Sequence, residues 1–516
     1  MPPESDHAHK PASHLEKNLV TAAKGGSISF LGKLFQNGMS IVFVVVFARL
    51  LGVEQYGIYK LVVVITTIAA AVGLLGMEGG IKRFLALAGK SGEENRVWGI
   101  IQVGTALPFL FALLLSAAIA LGADPLARHL FDAPDLAAPL RLAALAVPFL
   151  TLAHSLAAVA TGFKRVEYEV YAREIAFHLI KLFLAVGAIA LGFGLLGVMA
   201  AYIIAAILAV VLLLYFVNRL FSLRRPLSTA IRPTGEMLRF SFPLFLSVLL
   251  NQFGRRFETL ILGIFSIIRD VSVYSAILSV SNIGNMAYTA LRHIATPIFA
   301  ELHTRQEMAE LRGFYQIITK WALTFNLPLF LLILIFPENI LLIFGEAFRD
   351  GAAGMIILAA GTLYNASAGA SGALINMSGY SRVTFYNSLA YLAVTLALDF
   401  ALIPRWGLIG AAWAGALTLM IVNTLQLFEV YRLVGGLLPF NRTFWKPLAA
   451  GILSGGTVFA LEPLFLSGHP LLQFAVLGPV LIALYGFLIL LFGLSVEDRM
   501  ILRKISNTLM HDRKHK

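Results

Sequence analysis

The sequence contains no cysteine, which excludes disulfides and cysteine-based metal sites. Charge is also scarce, because 13% of the residues are charged while 59% are hydrophobic, an apolar excess that soluble domains do not show. No P-loop, HExxH motif or nucleophile elbow is present, so direct ATP hydrolysis by this chain is excluded. Apolar stretches of roughly 20 residues, long enough to cross a bilayer, recur along the whole chain. The sequence therefore predicts a polytopic membrane protein.

The N-terminal segment is polar and rich in proline and histidine. Residues 1–26, "MPPESDHAHKPASHLEKNLVTAAKGG", have no short apolar core of the kind that a cleavable signal peptide requires. We expect a cytosolic tail, with the first span serving as its own insertion signal.

The apolar runs predict an all-α membrane protein of about fourteen transmembrane helices, with both termini on the same side. The predicted spans are 27–50, 58–77, 97–122, 139–162, 175–194, 195–217, 240–266, 273–299, 314–336, 353–377, 383–403, 407–431, 446–466 and 471–494.

Basic residues are concentrated in alternate connections of this arrangement, which predicts the topology. The side shared with the termini carries most of the lysines and arginines, whereas the other side carries few. Those few in the opposite loops are Arg128, Arg269, Arg349 and Arg405. The formal charge of +12 therefore indicates cytosolic termini in a cytoplasmic membrane rather than nucleic-acid binding.

The first twelve predicted helices contain an internal repeat. "LFQNGMS" (34–40) aligns with "LLNQFGR" (249–255), "GVEQYGIY" (52–59) with "IIRDVSVY" (267–274), and "GLLG" (194–197) with "GLIG" (407–410). "GFKRV" (162–166) also aligns with "GYSRV" (379–383), and the order of these matches is kept, at separations of 213 to 217 residues. Two six-helix copies in the same orientation are predicted, with the working site between them.

The repeat and the loops define the predicted domains. They are a cytosolic N-terminal tail (1–26), an N-lobe of helices 1 to 6 (27–220), a cytosolic inter-lobe linker (221–239), a C-lobe of helices 7 to 12 (240–433), two appended helices (446–494) and a cytosolic C-terminal tail (495–516).

Three segments resemble a known family. "RLLGVEQYGIYKLVVVI", "GMEGGIKRFLA" and above all "LIPRWGLIGAAWA" are similar to the polysaccharide-unit flippases, the O-antigen and exopolysaccharide transporters. These belong to a superfamily that also includes the multidrug and toxin extrusion (MATE) exporters and the lipid II flippase. The resemblance covers helices 1 to 12. It implies two lobes that open alternately to either side and move a polyprenyl-diphosphate-linked sugar unit outward across the cytoplasmic membrane.

The stretch "NQFGRRFETL" (251–260) places two arginines near the middle of predicted helix 7. A charge at this depth costs roughly 2.5 to 3.5 kcal/mol and requires a partner, water or a ligand. Glu258 lies three residues after Arg255 and can neutralise it, whereas Arg256 points about 100° away. Either the arginines form an internal polar network, or they line a water-filled cavity and hold a phosphate. Phosphate binding is the favoured interpretation.

Other polar residues within the spans extend this candidate substrate site. It comprises Arg255, Arg256, Lys33, Arg292, Gln36, Asn37, Asn251, Gln252, Asn282 and Asn285. Lys33 and Arg292 lie near the cytosolic surface, where snorkelling to the interface is the alternative. Arg49 and Lys60 flank the first outer loop and are further candidates for contact with the diphosphate on the outer side. Snorkelling to the interface is the alternative for these two residues as well.

Acidic residues inside the spans are few. Glu78, Glu258 and Asp399 are the candidates for ion coupling, although a solvated or paired structural role is an alternative for Asp399. The excess of positive charge argues against a MATE-like exporter of cations. Small outer loops with scattered acids argue against a membrane glycosyltransferase or polymerase, and a purely structural scaffold would leave the arginines unexplained.

The predicted protein is therefore a transporter rather than an enzyme, with no cofactor and no metal site. Its expected partners are the lipid-linked sugar, membrane lipid, a coupling proton or sodium ion, and proteins of glycan assembly. A monomer is expected. The sequence leaves the sugar, the lipid carrier and the energy source open.

Overall fold

The chain folds into helices joined by short turns. The computed structural model describes residues 14–91, 93–465 and 470–493, and no strand occurs in these ranges. Eight of the described helices are long and apolar enough to cross a membrane, or up to nine if one bent pair counts as a single span. Helices suit this solvent because they satisfy their own backbone hydrogen-bonding groups. The predicted all-α membrane fold is confirmed.

Contacts divide the chain into two compact units that do not follow chain order. The first unit contains the described residues up to Val42 together with Val62–Gln252, and the second contains Phe43–Leu61 together with the described residues from Phe253 onward. We call residues 43–61 the corner segment. The predicted lobes, 27–220 and 240–433, remain predictions.

The first unit is built from the helices of the first half of the chain. In order these are the part of α1 (His14–Leu51) up to Val42, the part of α2 (Val53–Gly73) from Val62 onward, α3 (Met77–Ser91), α4 (Glu94–Leu121), α5 (Ala123–Pro125), α6 (Ala137–Ala144), α7 (Ala146–Gly162), α8 (Val166–Glu169), α9 (Phe177–Ala190), α10 (Gly194–Leu220) and the part of α11 (Thr234–Phe265) up to Gln252. Helix α7 packs against α3, α4 and α10. Their shared core contains Ile81, Ile100, Leu156 and Leu213, all nearly inaccessible.

The second unit contains the remaining helices. They are α12 (Ile268–Thr304), α13 (Met308–Ile335), α14 (Pro337–Leu342), α15 (Ala352–Ser367), α16 (Ser371–Met377), α17 (Ser381–Leu433), α18 (Trp445–Leu461) and α19 (Pro470–Leu491). The core of this unit includes Phe299, Tyr315 and Leu374. The predicted appended helices correspond to α18 and α19, which pack on each other and against α13.

Every predicted span coincides with one or more described helices, but several spans are interrupted. A turn at residues 74–76 separates α2 from α3, and Gly76 there has φ +69. A π-helical turn at Val170–Ala176 joins α8 to α9. Helix α17 is broken at Gly407, which adopts φ 50 and ψ −125, so the two predicted spans on either side of it are separate helices.

The inter-lobe linker is attached to the beginning of α4, inside the first unit. The amide of Ile231 donates to the carbonyl of Asn95, and the indole of Trp98 donates to the carbonyl of Pro226. A Cβ on Gly99 would lie 1.9 Å from the carbonyl oxygen of Ile231, so only glycine permits this approach.

The predicted cytosolic tails lie largely outside the described residues. Residues 1–13 and 494–516 belong to this part, while residues 14–26 are helical and form the beginning of α1. Their location on the cytosolic side remains a prediction.

Candidate functional site

Two basic side chains from distant parts of the sequence lie within electrostatic range of each other in the second unit. Lys60 lies two turns into α2, on the corner segment, and Arg256 lies on α11. Both are half-buried, and the Lys60 ammonium is close enough to Arg256 for the two charges to repel. The same ammonium lies 5.6 Å from the ring centroid of Tyr56. Like charges held together in a partly desolvated site are suited to an anionic ligand.

The corner segment reaches this position through close packing against α12. The hydroxyl of Ser272 donates to the carbonyl of Val53. A Cβ on Gly57 would lie 2.4 Å from the carbonyl oxygen of Ile268, which explains a glycine at this contact. These contacts fix the first turns of α2, and therefore Lys60, within the second unit.

Arg49, also on the corner segment, makes contacts of its own. Its Nε donates to the carbonyl of Ile343 at 2.7 Å and its Nη2 to the carbonyl of Leu342 at 2.8 Å. These carbonyls stand at the end of α14, where a helix leaves acceptors unsatisfied. Arg49 therefore caps a helix, and its predicted role in substrate contact remains a prediction.

The other predicted residues of α11 are only partly described. Asn251, Gln252 and Arg255 are helical, but their side chains lie outside the described part of the structure. The predicted pairing of Arg255 with Glu258 is therefore not tested.

The half-buried Glu258 and the buried Asp399 form a carboxylate pair in the second unit, which we call the buried carboxylate pair after Asp399. The hydroxyl of Tyr274 donates to Glu258 Oε2 at 2.5 Å. Asp399, on α17, is completely inaccessible and close enough to interact electrostatically with Glu258. Neither carboxylate oxygen of Asp399 has a hydrogen-bond partner within the described residues. An ionised carboxylate is costly in such surroundings unless a proton or cation compensates it.

A polar stripe follows the accessible side of α12. Asn282, Asn285 and Arg292 are exposed, and their spacing of three and seven residues places them along one face of the helix. Amide and guanidinium groups on a membrane helix favour water over lipid. This face of the second unit is thus suited to polar cargo.

The predicted residues of α1 belong to the first unit. Lys33 and Asn37 are exposed and Gln36 is half-buried. Lys33 also interacts electrostatically with Glu174 of the π-helical turn. This helix lies close to the turn, because a Cβ on Gly32 would be 2.6 Å from Val170 Cγ1.

The first unit also contains a network of charged residues that the sequence analysis did not identify. Arg173 donates through Nη1 to Glu169 Oε1 at 2.6 Å, and its Nη2 lies 3.0 Å from His154 Nε2. Lys82 pairs with Glu78 at 2.7 Å. The ammonium of Lys82 and the guanidinium of Arg173 are both close enough to attract the Glu78 carboxylate.

A sequence signal for this network was present. His154 lies inside the predicted span 139–162, and His178 and Lys181 lie inside the predicted span 175–194. Ionisable residues inside a span are costly and indicate a functional or structural role, as they do for the arginines of predicted helix 7. Lys181 is buried, with its ammonium 5.4 Å from the ring centroid of Phe177 and 5.9 Å from that of Tyr202.

The fold is shared with membrane transporters of known structure. A structure of the lipid II flippase MurJ in an inward closed conformation aligns with a TM-score of 0.70 and 12% identity, covering 90% of this chain and 98% of the flippase. An inward-facing multidrug-resistance transporter of the MATE family aligns with a TM-score of 0.64 and 14% identity, covering 79% of this chain and 95% of that transporter. At these identities the two matches show that the helical fold is shared.

The family follows from the sequence itself. Residues 22–303 match the model of the polysaccharide biosynthesis protein family, and the chain belongs to that family. An uncharacterized membrane protein of Methanocaldococcus jannaschii is 22% identical over 437 residues, which cover 80% of this chain and 99% of that protein. The resemblance to polysaccharide transporters inferred from the sequence is confirmed.

Proposed function

We propose that this protein is a flippase that moves a polyprenyl-diphosphate-linked oligosaccharide from the cytosolic to the outer leaflet of the cytoplasmic membrane by alternating access. The proximity of Lys60 and Arg256 in the second unit is the observation that carries the proposal. Membership of the polysaccharide biosynthesis family and the fold in common with a lipid II flippase support it.

The basic pair matches the chemistry of a diphosphate. An anion bound close to both cations would be attracted by each of them, and in a region of reduced dielectric these attractions are stronger than in water. A guanidinium can bind phosphate oxygens in a bidentate manner, while an ammonium acts as a compact charge. We assign Arg256 and Lys60 to the head group, together with Arg255 on the same helix.

The remaining predicted residues would bind the sugars or guide the head group. Asn282, Asn285 and Arg292 lie on the accessible side of α12 and provide amide and guanidinium donors. Lys33, Gln36 and Asn37 provide a similar set on α1. Arg49 is the weakest candidate, since it already donates to two carbonyls.

The buried carboxylate pair is the proposed coupling site. Asp399 and Glu258 together would take up a proton or a sodium ion, whose release on the other side would supply energy. The same pair favours a second candidate function, a MATE-like exporter coupled to a cation. The cargo distinguishes the two: an anionic lipid for the flippase, a small molecule for the exporter.

Transport by the purified protein in liposomes tests the proposal. The cargo is a fluorescent polyprenyl-diphosphate sugar, and the variants are Lys60→Gln, Arg256→Gln and, as a matched control, Arg305→Gln. Arg305 is an exposed arginine of the second unit that pairs with Glu301 at the end of α12. Loss of a charge-assisted hydrogen bond to the cargo weakens binding by roughly 10- to 100-fold.

We expect the first two variants to lose transport by at least about tenfold at a low cargo concentration, without loss of thermal stability. The control variant should transport normally. Normal transport by both Lys60→Gln and Arg256→Gln would refute the assignment of the head-group site. Failure of the wild-type protein to move this lipid while moving a small cation would establish the exporter instead.

A further inference from the structure

Two histidines contact Arg173 in the first unit, one at its guanidinium group and the other at its backbone carbonyl. Its guanidinium Nη2 lies 3.0 Å from Nε2 of His154, which is on α7, and its backbone carbonyl lies 3.1 Å from Nδ1 of His178 on α9. The same guanidinium donates through Nη1 to Glu169. Arg173 itself belongs to the π-helical turn, an irregularity that is often found at functional sites.

The chemistry of these contacts determines where the imidazole protons are. A guanidinium has donors and no acceptor, so Nε2 of His154 must be the unprotonated acceptor and the ring must be neutral. A carbonyl can only accept, so Nδ1 of His178 carries a hydrogen, and it keeps that hydrogen whether or not the ring is charged. Protonation therefore breaks the contact of His154 and leaves the contact of His178 intact.

The surroundings of His154 offer an alternative arrangement. The Glu78 carboxylate on α3 is close enough to interact electrostatically with both His154 and Arg173. An imidazolium at His154 would be repelled by Arg173 and attracted by Glu78, whose present partner Lys82 is half-exposed. Glu169 would retain Arg173, because Thr161 also donates to that carboxylate at 3.1 Å.

The charged groups on the elements around His154 are few. They are Glu78, Lys82 and Arg83 on α3, Glu167 and Glu169 on α8, and Arg173 and Glu174 on the π-helical turn. Three of them have partners of their own: Arg83 lies over the ring of Phe240, Glu167 pairs with Arg165, and Glu174 interacts with Lys33 of α1. The other helices packed against α7 carry charge only near their ends or outside this region, at Glu94 and Arg96 on α4, Arg141 on α6 and Arg219 on α10.

We propose that His154 is a proton-binding site of the first unit and that its protonation breaks the direct hydrogen bond between Arg173 and α7. The proton comes from water and binds Nε2; the Arg173–His154 hydrogen bond is lost, and the imidazolium pairs with Glu78. The π-helical turn then keeps its indirect link to α7, through Glu169 and Thr161, and loses the direct one. This exchange makes the conformation of the first unit sensitive to pH in the range where histidine titrates.

Imidazole ¹⁵N NMR of the full-length protein in nanodiscs tests the protonation states. The signal that is missing from His154→Gln should report an unprotonated Nε2 at about pH 8 and a doubly protonated ring at about pH 5. The signal missing from His178→Gln should report a protonated Nδ1 throughout. A protonated Nε2 of His154 at about pH 8, or no titration above about pH 5, would overturn the proposal.

Hydrogen–deuterium exchange tests the loss of the direct hydrogen bond between Arg173 and α7. After correction for intrinsic rates, peptides covering Val170–Ala176 should exchange faster at about pH 5 than at about pH 8 in the wild type and in His178→Gln. In His154→Gln the amide oxygen can still accept from Arg173 but cannot be protonated, so this difference should vanish. An equal pH effect in His154→Gln and the wild type would refute the switch.

The consequence for transport rests on the proposed function. With the fluorescent lipid as cargo, the pH profile of transport should lose one inflection in His154→Gln and keep it in His178→Gln. The NMR and exchange measurements need no cargo. If the wild-type protein does not transport this lipid, the proposed flippase function is refuted. The proposed proton site is then still decided by the NMR and exchange measurements.

Discussion

At the scale of single residues, Asp399 is the clearest conflict between burial and charge. It is completely inaccessible and its oxygens have no hydrogen-bond partner in the described ranges, so ionisation without a cation would cost several kcal/mol. We expect Asp399→Asn to melt at a temperature no lower than the wild type, because it removes only the ability to take up a cation or proton. Transport driven by an ion gradient should be lost.

Thermal unfolding and gradient-driven uptake into liposomes, measured on the same preparation, check this expectation. Loss of stability together with activity would mean that the carboxylate is a structural group. Ser454→Ala, which alters a buried hydroxyl of α18 bonded within its own helix, controls for a polar change in the interior of the second unit.

Lys60 permits a second prediction at this scale. Removing one of two mutually repelling cations relieves strain, so Lys60→Gln should be at least as stable as the wild type without ligand. The stabilisation that inorganic diphosphate gives the wild type should shrink, since the anion loses one attraction. The melting temperature as a function of diphosphate concentration measures both effects. Equal stabilisation of both proteins would show that Lys60 is not part of the anion site.

Which residues carry charge inside the apolar runs could be predicted from the sequence, but their partners could not. Lys60, Arg256, Glu258 and Asp399 were found because they stand out against apolar neighbours. The proximity of Lys60 to Arg256 and the contact of Glu258 with Tyr274 depend on how distant helices pack. No periodicity within one helix contains that information.

At the scale of elements, the break in α17 depends on Gly407. Its φ of 50 and ψ of −125 suit only glycine, and a Cβ there would lie 3.0 Å from both Asp270 Oδ2 and Ser266 Oγ. Gly407→Ala should destabilise the protein by about 1–3 kcal/mol. Gly456→Ala is the matched control. This position lies within α18, has open space around it, and should become slightly more stable.

Denaturant unfolding in detergent, followed by tryptophan fluorescence, compares the two alanine variants. Equal stability would show that the backbone at Gly407 can relax without cost. The resemblance segment "LIPRWGLIGAAWA" contains this break, so the sequence located the break without revealing its geometry.

The linker gives a second prediction for an element. Arg225 forms an accessible ion pair with Glu94, and exposed pairs contribute at most about 1 kcal/mol, so Glu94→Gln should leave stability nearly unchanged. Gly99→Ala should be strongly destabilising, because its Cβ would collide with the Ile231 carbonyl. Denaturant unfolding of both variants under the same conditions measures their free energies of unfolding. Similar free energies for the two variants would contradict this prediction.

The existence of the helices was predictable, and so was the position of the break at Gly407, whereas the geometry of the interruptions was not. Long apolar runs identify each span because the bilayer imposes a minimum length. The turn at residues 74–76 lies inside the predicted span 58–77, so hydropathy did not separate it from continuous α-helix, and the π-helical geometry of residues 170–176 cannot be read from composition. These interruptions surround the network of His154 and Arg173, which explains why the sequence analysis missed it.

At the scale of the whole molecule, the absence of cysteine makes the predicted topology directly testable. Asp135→Cys and Ser228→Cys each place a single thiol on an exposed position of a predicted outer and a predicted cytosolic connection, respectively. A membrane-impermeant maleimide should label the first variant in intact cells and the second only after permeabilisation. The reverse pattern would invert the predicted orientation.

The corner segment has a consequence for the integrity of the chain. By sequence it belongs to the first repeat, yet by contacts it belongs to the second unit, while residues 221–252 belong to the first unit. A cut at Ser228 would therefore produce two fragments that each lack a piece of their own unit and carry a piece of the other. Neither fragment contains all the residues of one unit. When the two fragments are coexpressed, each should supply the segment that the other lacks, and they should assemble into the intact fold without a covalent bond between them.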